Sequence, residues 1–368
     1  MDGSVGDARH MVRALQLARL GQNTADPNPR VGCVLVREGV VVGEGWHRRA
    51  GEAHAEVHAL AAAGTRAQGA TCYVTLEPCA HTGRTAPCAD ALVAAGVKRV
   101  VVGMEDPNPL VHGQGIARLR AAGIAVDTDV LRTEAEALNP GFLQRMRAHR
   151  PWVRVKLAGT LDGRSATAAG ESQWITSAAA RQDVQQNRAR ASAILTGVAT
   201  VIADNPRLTV RPEPERIPLR IIVDSGLRTP PGSALFAHPG PVLIATTRAA
   251  SAAAGQLLMD TGAELLRLPS DGTRVALPAL LSALALRGVN EVWTEAGPTL
   301  AGALLAAGLA DELVMYLAPR LLGDAGRGMF ALPAIHRLGQ ALSLRMVDIR
   351  AVGPDLRITA VPVPLEGT

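Results

Sequence analysis

Aromatic residues are nearly absent from this chain, which has 368 residues of which 2% are Phe, Trp or Tyr. Proteins that hold single-stranded nucleic acid stack its bases on such rings, so the shortage argues against a nucleic-acid partner. Cysteine is also scarce, at four residues. Two of them, Cys33 and Cys72, lie in apolar strand-like runs and read as small buried hydrophobes, not as a disulfide pair. Charge never gathers into a run: the formal +5 is spread over isolated arginines. A diffuse basic balance suits phosphorylated small molecules as well as nucleic acid and decides little. No stretch of transmembrane length is free of charge, and residues 1–9 are polar, without the apolar core of a signal peptide, so no membrane partner and a cytoplasmic location are expected. What the chain does have is Ala, Val, Leu and Gly, with 48% hydrophobic residues, enough to bury sizeable sheets. Its length predicts two domains.

The hydrophobic periodicity divides near residue 148, giving expected domains 1–148 and 149–368. In the first, a helix over 7–19 leads to a hairpin, 31–36 and 40–45, turning at Arg37-Glu38-Gly39. A helix over 53–63, a strand over 71–76, a helix over 88–95 and a strand over 99–103 follow. A helix (114–122) and a strand (124–130) complete a three-layer α/β sandwich. Residues 135–149 read as one polar helix ending at Arg150-Pro151. A second α/β series then begins, with strands at 152–157, 193–197, 219–223, 242–246, 264–268 and 291–295 and a helix at 177–190. The segments 312–318, 342–349 and 356–361 read as antiparallel edge strands, and the Pro-rich piece 211–218 as a loop.

Chemistry concentrates in His54-Ala55-Glu56, Pro78-Cys79 and Cys88. One imidazole and two thiolates form the ligand set that a catalytic zinc takes while keeping its fourth position open. Glu56, two residues after His54 near a helix start, is placed to shuttle protons without being a ligand itself. Cys79 ends a strand and Cys88 opens a helix, so backbone N–H groups favour thiolate at both sulfurs. His58 falls four residues after His54, but the His-Glu-X-X-His metalloprotease pattern requires Glu directly after the first His, and here Ala55 intervenes. The arrangement reads as a hydrolytic deaminase.

Nucleoside and nucleotide deaminases of this kind usually place two residues between the paired cysteines, whereas this chain places eight, Ala80 to Pro87. The loop Pro78-Cys79-Ala80-His81-Thr82-Gly83-Arg84-Thr85-Ala86-Pro87-Cys88 resembles that of the bifunctional riboflavin-biosynthesis deaminase/reductase family. So do Pro27-Asn28-Pro29-Arg30, Gly45-Trp46-His47, Asp106-Pro107-Asn108-Pro109 with Gly113 and Gly115, Lys156, Leu161-Asp162-Gly163-Arg164, Glu171 to Thr176 and Asp204 to Thr209. Two small departures, Ala86 and Ala158-Gly159-Thr160, remove no ligand or charge. The resemblance implies an N-terminal cytidine-deaminase-like sandwich and a C-terminal dihydrofolate-reductase-like domain. It implies zinc-dependent deamination of 2,5-diamino-6-ribosylamino-4(3H)-pyrimidinone 5′-phosphate, then NADPH-dependent reduction of the ribosyl chain to ribityl. Asn28 could read a pyrimidinone edge, though an Asn between two prolines is equally an ordinary turn residue. His81 and Arg84 suit a ribose phosphate, Arg84 being otherwise a solvated loop charge.

In the second half no Gly-X-Gly-X-X-Gly follows the first strand. Glu295-Ala296-Gly297-Pro298-Thr299-Leu300 instead leaves a strand and opens a helix, a geometry that frees N–H groups for phosphate but is also an ordinary α/β reversal. The resemblance makes Gly297, Pro298, Thr299 and Leu300 the NADP diphosphate loop. It adds Ala158, Trp174, Thr200, Asp204 and Ser225 as cofactor contacts, and Ser172, Arg188, Leu208, Arg211 and Glu295 as substrate contacts. Lys156 and Asp162 are polar residues that could line the same cleft. The apolar C-terminal strands suggest a homo-oligomer.

Overall fold

The computed structural model describes residues 2–80, 87–109 and 111–363. The chain divides into two compact units, Met1–His149 and Arg150–Thr368. In the first, helix α1 (Asp2–Arg19) precedes β1 (Gly32–Arg37) and β2 (Val40–Trp46), which pair antiparallel with Arg37 opposite Val40. The two-residue turn needs left-handed backbone at both positions, and Glu38 (φ 52°) and Gly39 (φ 79°) supply it. Next come α2 (Ala55–Ala63), β3 (Thr71–Val74), α3 (Cys88–Ala94), β4 (Arg99–Val102), α4 (Gln114–Ala121) and β5 (Ala125–Asp127). The sheet order is β2-β1-β3-β4-β5.

Strand alternation sends Cys33, Leu35, Cys72, Val74, Val100 and Val102 to one face, against α2, α3 and α4. Val34, Val36, Tyr73 and Val101 face the other, against α1 and the segment 132–148. These are the three expected layers. Cys33 and Cys72 are buried free thiols with their sulfurs 3.5 Å apart. The single helix expected over 135–149 is in fact two, α5 (Arg132–Leu138) and α6 (Pro140–Ala148). Pro140 cannot donate an N–H into a preceding turn, so it opens a new helix. Asn139 at the break grips Arg30 from both sides, accepting from its N–H (2.7 Å) and donating to its carbonyl (2.9 Å).

The second unit runs β6 (Trp152–Thr160), β7 (Arg164–Ala166), α7 (Ala178–Arg190), β8 (Ala193–Gly197), α8 (Val198–Asp204), β9 (Leu219–Val223), β10 (Val242–Thr247), α9 (Ala252–Met259) and β11 (Glu264–Leu268). A small hairpin, β12 (Ser270–Asp271) and β13 (Arg274–Val275), is followed by α10 (Leu277–Leu286), β14 (Glu291–Glu295), α11 (Pro298–Ala306), β15 (Glu312–Ala318), β16 (Arg327–Gly328), β17 (Leu344–Val352) and β18 (Asp355–Pro362). The main sheet has the order β11-β10-β9-β8-β14-β6-β15-β18-β17. Strands β11 to β15 of that order are parallel, and β18 and β17 add antiparallel. Expectation and structure differ over 312–318 and 356–361, neither of which is an edge: β15 lies inside the sheet, parallel to β6 and antiparallel to β18, and β18 lies between β15 and β17. The buried Leu313, Val314 and Tyr316 of β15 fit its position. No helix among the described residues is long and apolar enough to cross a membrane.

Candidate active sites

The first site begins with glycine. A Cβ at Gly43 would lie 2.2 Å from the Ala59 carbonyl oxygen, and one at Gly45 would lie 2.4 Å from that of Ala55. With Ala55, Ala59 and Ala63 buried beneath it, α2 therefore lies flush on β2. The helix starts at Ala55, two residues later than expected, and His54 is its N-cap in extended conformation. This leaves the His54 ring outside the helix and puts Glu56 in the first turn, buried to 3% exposure.

Cys79 lies in the segment after β3, and Cys88 opens α3. The Cys88 N–H donates to the Cys79 sulfur at 3.4 Å, so both sulfurs meet at one helix start. His54 Nδ1 is 3.2 Å from Cys88 Sγ and 3.6 Å from Cys79 Sγ. All three donor atoms lie within 4.8 Å of one another. Tetrahedral zinc, with Zn–N and Zn–S bonds of about 2.05 and 2.3 Å, sets its ligand atoms about 3.6–3.8 Å apart. The triangle fits that ion. Hydrogen bonds from Cys88 and His54, working against burial, hold the Cys79 thiol down to about 4. The same pairing, with burial, pushes Cys88 up. Burial raises Glu56 from 4.5 to about 7, against the pull of His54.

Around the triangle is a cavity of about 670 Å³ lined by Asn28, His47, His54, Glu56, Cys79 and Arg145, among others. Asn28 Nδ2 is 3.1 Å from His47 Nε2, and His47 Nδ1 is 3.2 Å from the Ala53 carbonyl. The carbonyl requires the proton on Nδ1, which leaves Nε2 to accept from Asn28. Sequence reasoning gave no role to two residues of this lining that hold its polar groups in place. His47 is one. The other is Glu77, whose buried carboxylate accepts from the N–H groups of Asp106 (3.1 Å), Gly113 (3.0 Å), Gly115 (2.9 Å) and Ile116 (3.2 Å). The sequence signal for it was Gly115, where a Cβ would lie 1.8 Å from the Pro78 carbonyl oxygen. His81, Arg84 and Ala86 lie outside the described residues. His58 stays out of the triangle and out of the cavity lining.

The second unit holds a cleft of about 1560 Å³ at the carboxyl ends of its parallel strands. Ala158, Trp174, Thr200, Asp204, Ser225 and Gly297 to Leu300 all line it, as do Ser172, Arg188, Leu208, Arg211 and Glu295. Lys156 lines it too, and burial pushes its ammonium down against the pull of Glu295. Asp162 does not line the cleft, contrary to expectation: its carboxylate accepts from Thr160 Oγ1 and from the N–H groups of Leu322 (3.0 Å) and Gly323 (2.8 Å), locking a turn. Arg188 and Glu295 meet each other, with Nε–Oε1 at 2.5 Å and Nη2–Oε2 at 2.8 Å. Trp293 Nε1 adds a donor to Glu295 at 2.8 Å, and Arg188 Nη1 donates to the Thr209 carbonyl at 2.6 Å. Burial opposes ionisation of Glu295, but the Arg188 charge and hydrogen bonds hold it at about 2. The Arg181 guanidinium sits 4.6 Å over the exposed Trp174 ring.

Gly297 is the N-cap of α11 and offers no side-chain cap, and its N–H is turned to Thr200 Oγ1 at 3.2 Å. Pro298 has no N–H, so Thr299 and Leu300 present the first unpaired donors of the helix. With the size of the cleft, this fits a dinucleotide's diphosphate.

Comparison with known proteins gives the same two parts. Residues 5–104 match the cytidine and deoxycytidylate deaminase zinc-binding region, and residues 151–358 match the RibD C-terminal domain. The chain is 50% identical to riboflavin biosynthesis protein RibD of Escherichia coli (strain K12), over 95% of this chain and 98% of that protein. It is similar in structure to Acinetobacter baumannii RibD, with TM-score 0.91 and 43% identity, covering 98% of this chain and 100% of that one. A diaminohydroxyphosphoribosylaminopyrimidine deaminase/5-amino-6-(5-phosphoribosylamino)uracil reductase from Thermotoga maritima matches at TM-score 0.86 and 31% identity, over 98% of this chain and 99% of that one.

Proposed function

The chain belongs to the RibD family of bifunctional riboflavin-biosynthesis enzymes, and on that premise we propose how its residues divide the work. The protein is a zinc-dependent deaminase and an NADPH-dependent reductase, its halves cytidine-deaminase-like (1–148) and dihydrofolate-reductase-like (149–368). Its substrate is 2,5-diamino-6-ribosylamino-4(3H)-pyrimidinone 5′-phosphate, whose 2-amino group leaves as ammonia. The ribosyl chain of the product, 5-amino-6-(5-phosphoribosylamino)uracil, is then reduced to ribityl.

In the first unit His54, Cys79 and Cys88 hold the zinc, which when bound supplies Lewis acidity toward the attacking water. Glu56 is the proton carrier. A carboxylate brought to about 7 can take a proton from the attacking water near neutral pH and pass it to a ring nitrogen. It can then take the remaining proton of the hydroxyl now bonded to carbon and give it to the amine as the C–N bond breaks. Asn28, fixed by His47, keeps its oxygen and second N–H for the pyrimidinone edge. His81 and Arg84 meet the ribose phosphate.

In the second unit NADPH, when bound, would supply the hydride, and the cleft residues would hold it and orient the sugar. Gly297, Pro298, Thr299 and Leu300 take the diphosphate, while Ala158, Trp174, Thr200, Asp204 and Ser225 complete the cofactor site. Ser172, Leu208 and Arg211 hold the phosphoribosyl substrate. Arg188, its donors engaged by Glu295 and Thr209, keeps the Glu295 carboxylate rigid toward the sugar hydroxyls. Copies of the chain associate through β17, a sheet edge with Met346, Val347 and Ile349 exposed. Sedimentation of a single monomeric species would contradict that association.

The His54–Cys79–Cys88 triangle beside buried Glu56 is the observation that carries this reading. Its experiment is incubation of the purified protein with the diaminopyrimidinone phosphate, with and without NADPH. Ammonia release in both arms and NADPH oxidation in one are expected. Ammonia without NADPH oxidation would remove the reductase half.

A further inference from the structure

The cleft of the second unit carries more cationic charge than the residues so far assigned can use. Arg228 lies in the loop after β9, and Arg274 opens β13. They come from separate stretches, yet the Val275 N–H donates to Ser225 Oγ at 3.0 Å and ties the β12–β13 hairpin to that loop. Both arginines line the cleft. Both are exposed, and among the described residues neither guanidinium has an ion-pair or hydrogen-bond partner. Asp271 faces Arg274 in the hairpin register and lines the same mouth. Two guanidiniums against that carboxylate leave this end positive.

Topology separates this pair from the rest of the site. The diphosphate loop follows β14, and β9 is two strands away in the order β9-β8-β14. At the usual strand spacing that is about 10 Å, a span that an adenosine moiety bridges. Arg211 also lines the cleft, but beside α7, where its N–H donates to Gln185 Oε1 at 2.9 Å. The cleft thus draws cationic side chains from two separate places, the β9 and β13 loops and the segment beside α7. Its two ligands carry two phosphate monoesters, the substrate's 5′-phosphate and the cofactor's 2′-phosphate.

We propose that Arg228 and Arg274 form the subsite for the 2′-phosphate of the adenosine ribose and so select NADPH over NADH. The proposal rests on the reading of this cleft as an NADPH site. Guanidinium groups match phosphate oxygens in geometry as well as charge, and an arginine beside the adenosine ribose is the usual means of accepting a 2′-phosphate. Because both side chains are exposed, replacing them removes charge without opening a core cavity.

The test is calorimetric titration of the full chain, wild type and the Arg228→Gln, Arg274→Gln and double variants. The probes are NADPH, NADH, adenosine 2′,5′-bisphosphate and AMP. The double variant should bind NADPH and the bisphosphate roughly tenfold to hundredfold more weakly, the worth of a charge-assisted hydrogen bond or more. NADH and AMP should bind as before, and the salt dependence of NADPH binding should flatten. Parallel losses for NADPH and NADH, or an undiminished preference in the double variant, overturn the subsite while leaving the NADPH reading in place. A wild-type protein that binds no NADPH overturns both.

Discussion

Glu56 is a buried carboxylate and Glu295 a partly buried one, and their surroundings send them in opposite directions. Glu56 is raised to about 7 by burial, which suits a group that must both take and give a proton. Glu56→Gln should retain the metal and lower deamination by about 10²–10⁴-fold or more. A variant that deaminates at the wild-type rate would end the acid–base assignment. Glu295 is held at about 2, below its ordinary 4.5. Its folded-state pKa is depressed, so its stabilising contribution is complete above 4.5 and is lost as pH falls towards 2. Glu295→Gln should therefore flatten the loss of stability between those pH values. At neutral pH it should cost up to about 3 kcal/mol, because the partly buried Arg188 loses its carboxylate partner and keeps only the Thr209 carbonyl. Urea denaturation at several pH values checks both effects; an unchanged slope would contradict them. The two carboxylates also differ in legibility. Glu56 was readable because His54 stands two positions away. Arg188 and Glu295 are separated by 107 positions, so no local spacing shows that each is the other's partner.

Among elements, the close approach of α4 to the Pro78 carbonyl explains why a motif far from the ligands belongs to the metal site. Gly115 lets the helix start touch the chain just before Cys79, and Glu77 gathers four N–H groups across that contact. Gly115→Ala would put a Cβ 1.8 Å from a backbone oxygen that no rotamer change can move. It should destabilise the first unit by about 1–3 kcal/mol or more and loosen zinc, read as faster transfer to a chromophoric chelator. Unchanged stability and metal release would show that the contact does not matter. Alternation and helical period made β1 to β4 and their helices readable. Two features escaped them. Pro140 was present in the sequence, but a polar stretch on both sides hid the break. An apolar run such as 312–318 does not reveal whether its neighbours are one strand or two, or their direction.

The molecule as a whole joins a hydrolytic site and a redox site whose described residues come from different units. The long Cys79–Cys88 loop announced the first, because metal ligands are few, chemically distinctive and close in sequence. The second was legible mainly through resemblance: its cleft gathers residues from 156 to 327 around backbone N–H groups that carry no signature of their own. Losing zinc should therefore silence one reaction and spare the other. The most direct measurement is the zinc content of the full chain beside both activities, before and after exhaustive chelation and in Cys79→Ser. The expected result is one zinc per chain, with loss of metal abolishing ammonia release while NADPH oxidation on the deaminated substrate continues. A metal-free protein that still releases ammonia at the full rate would contradict the account.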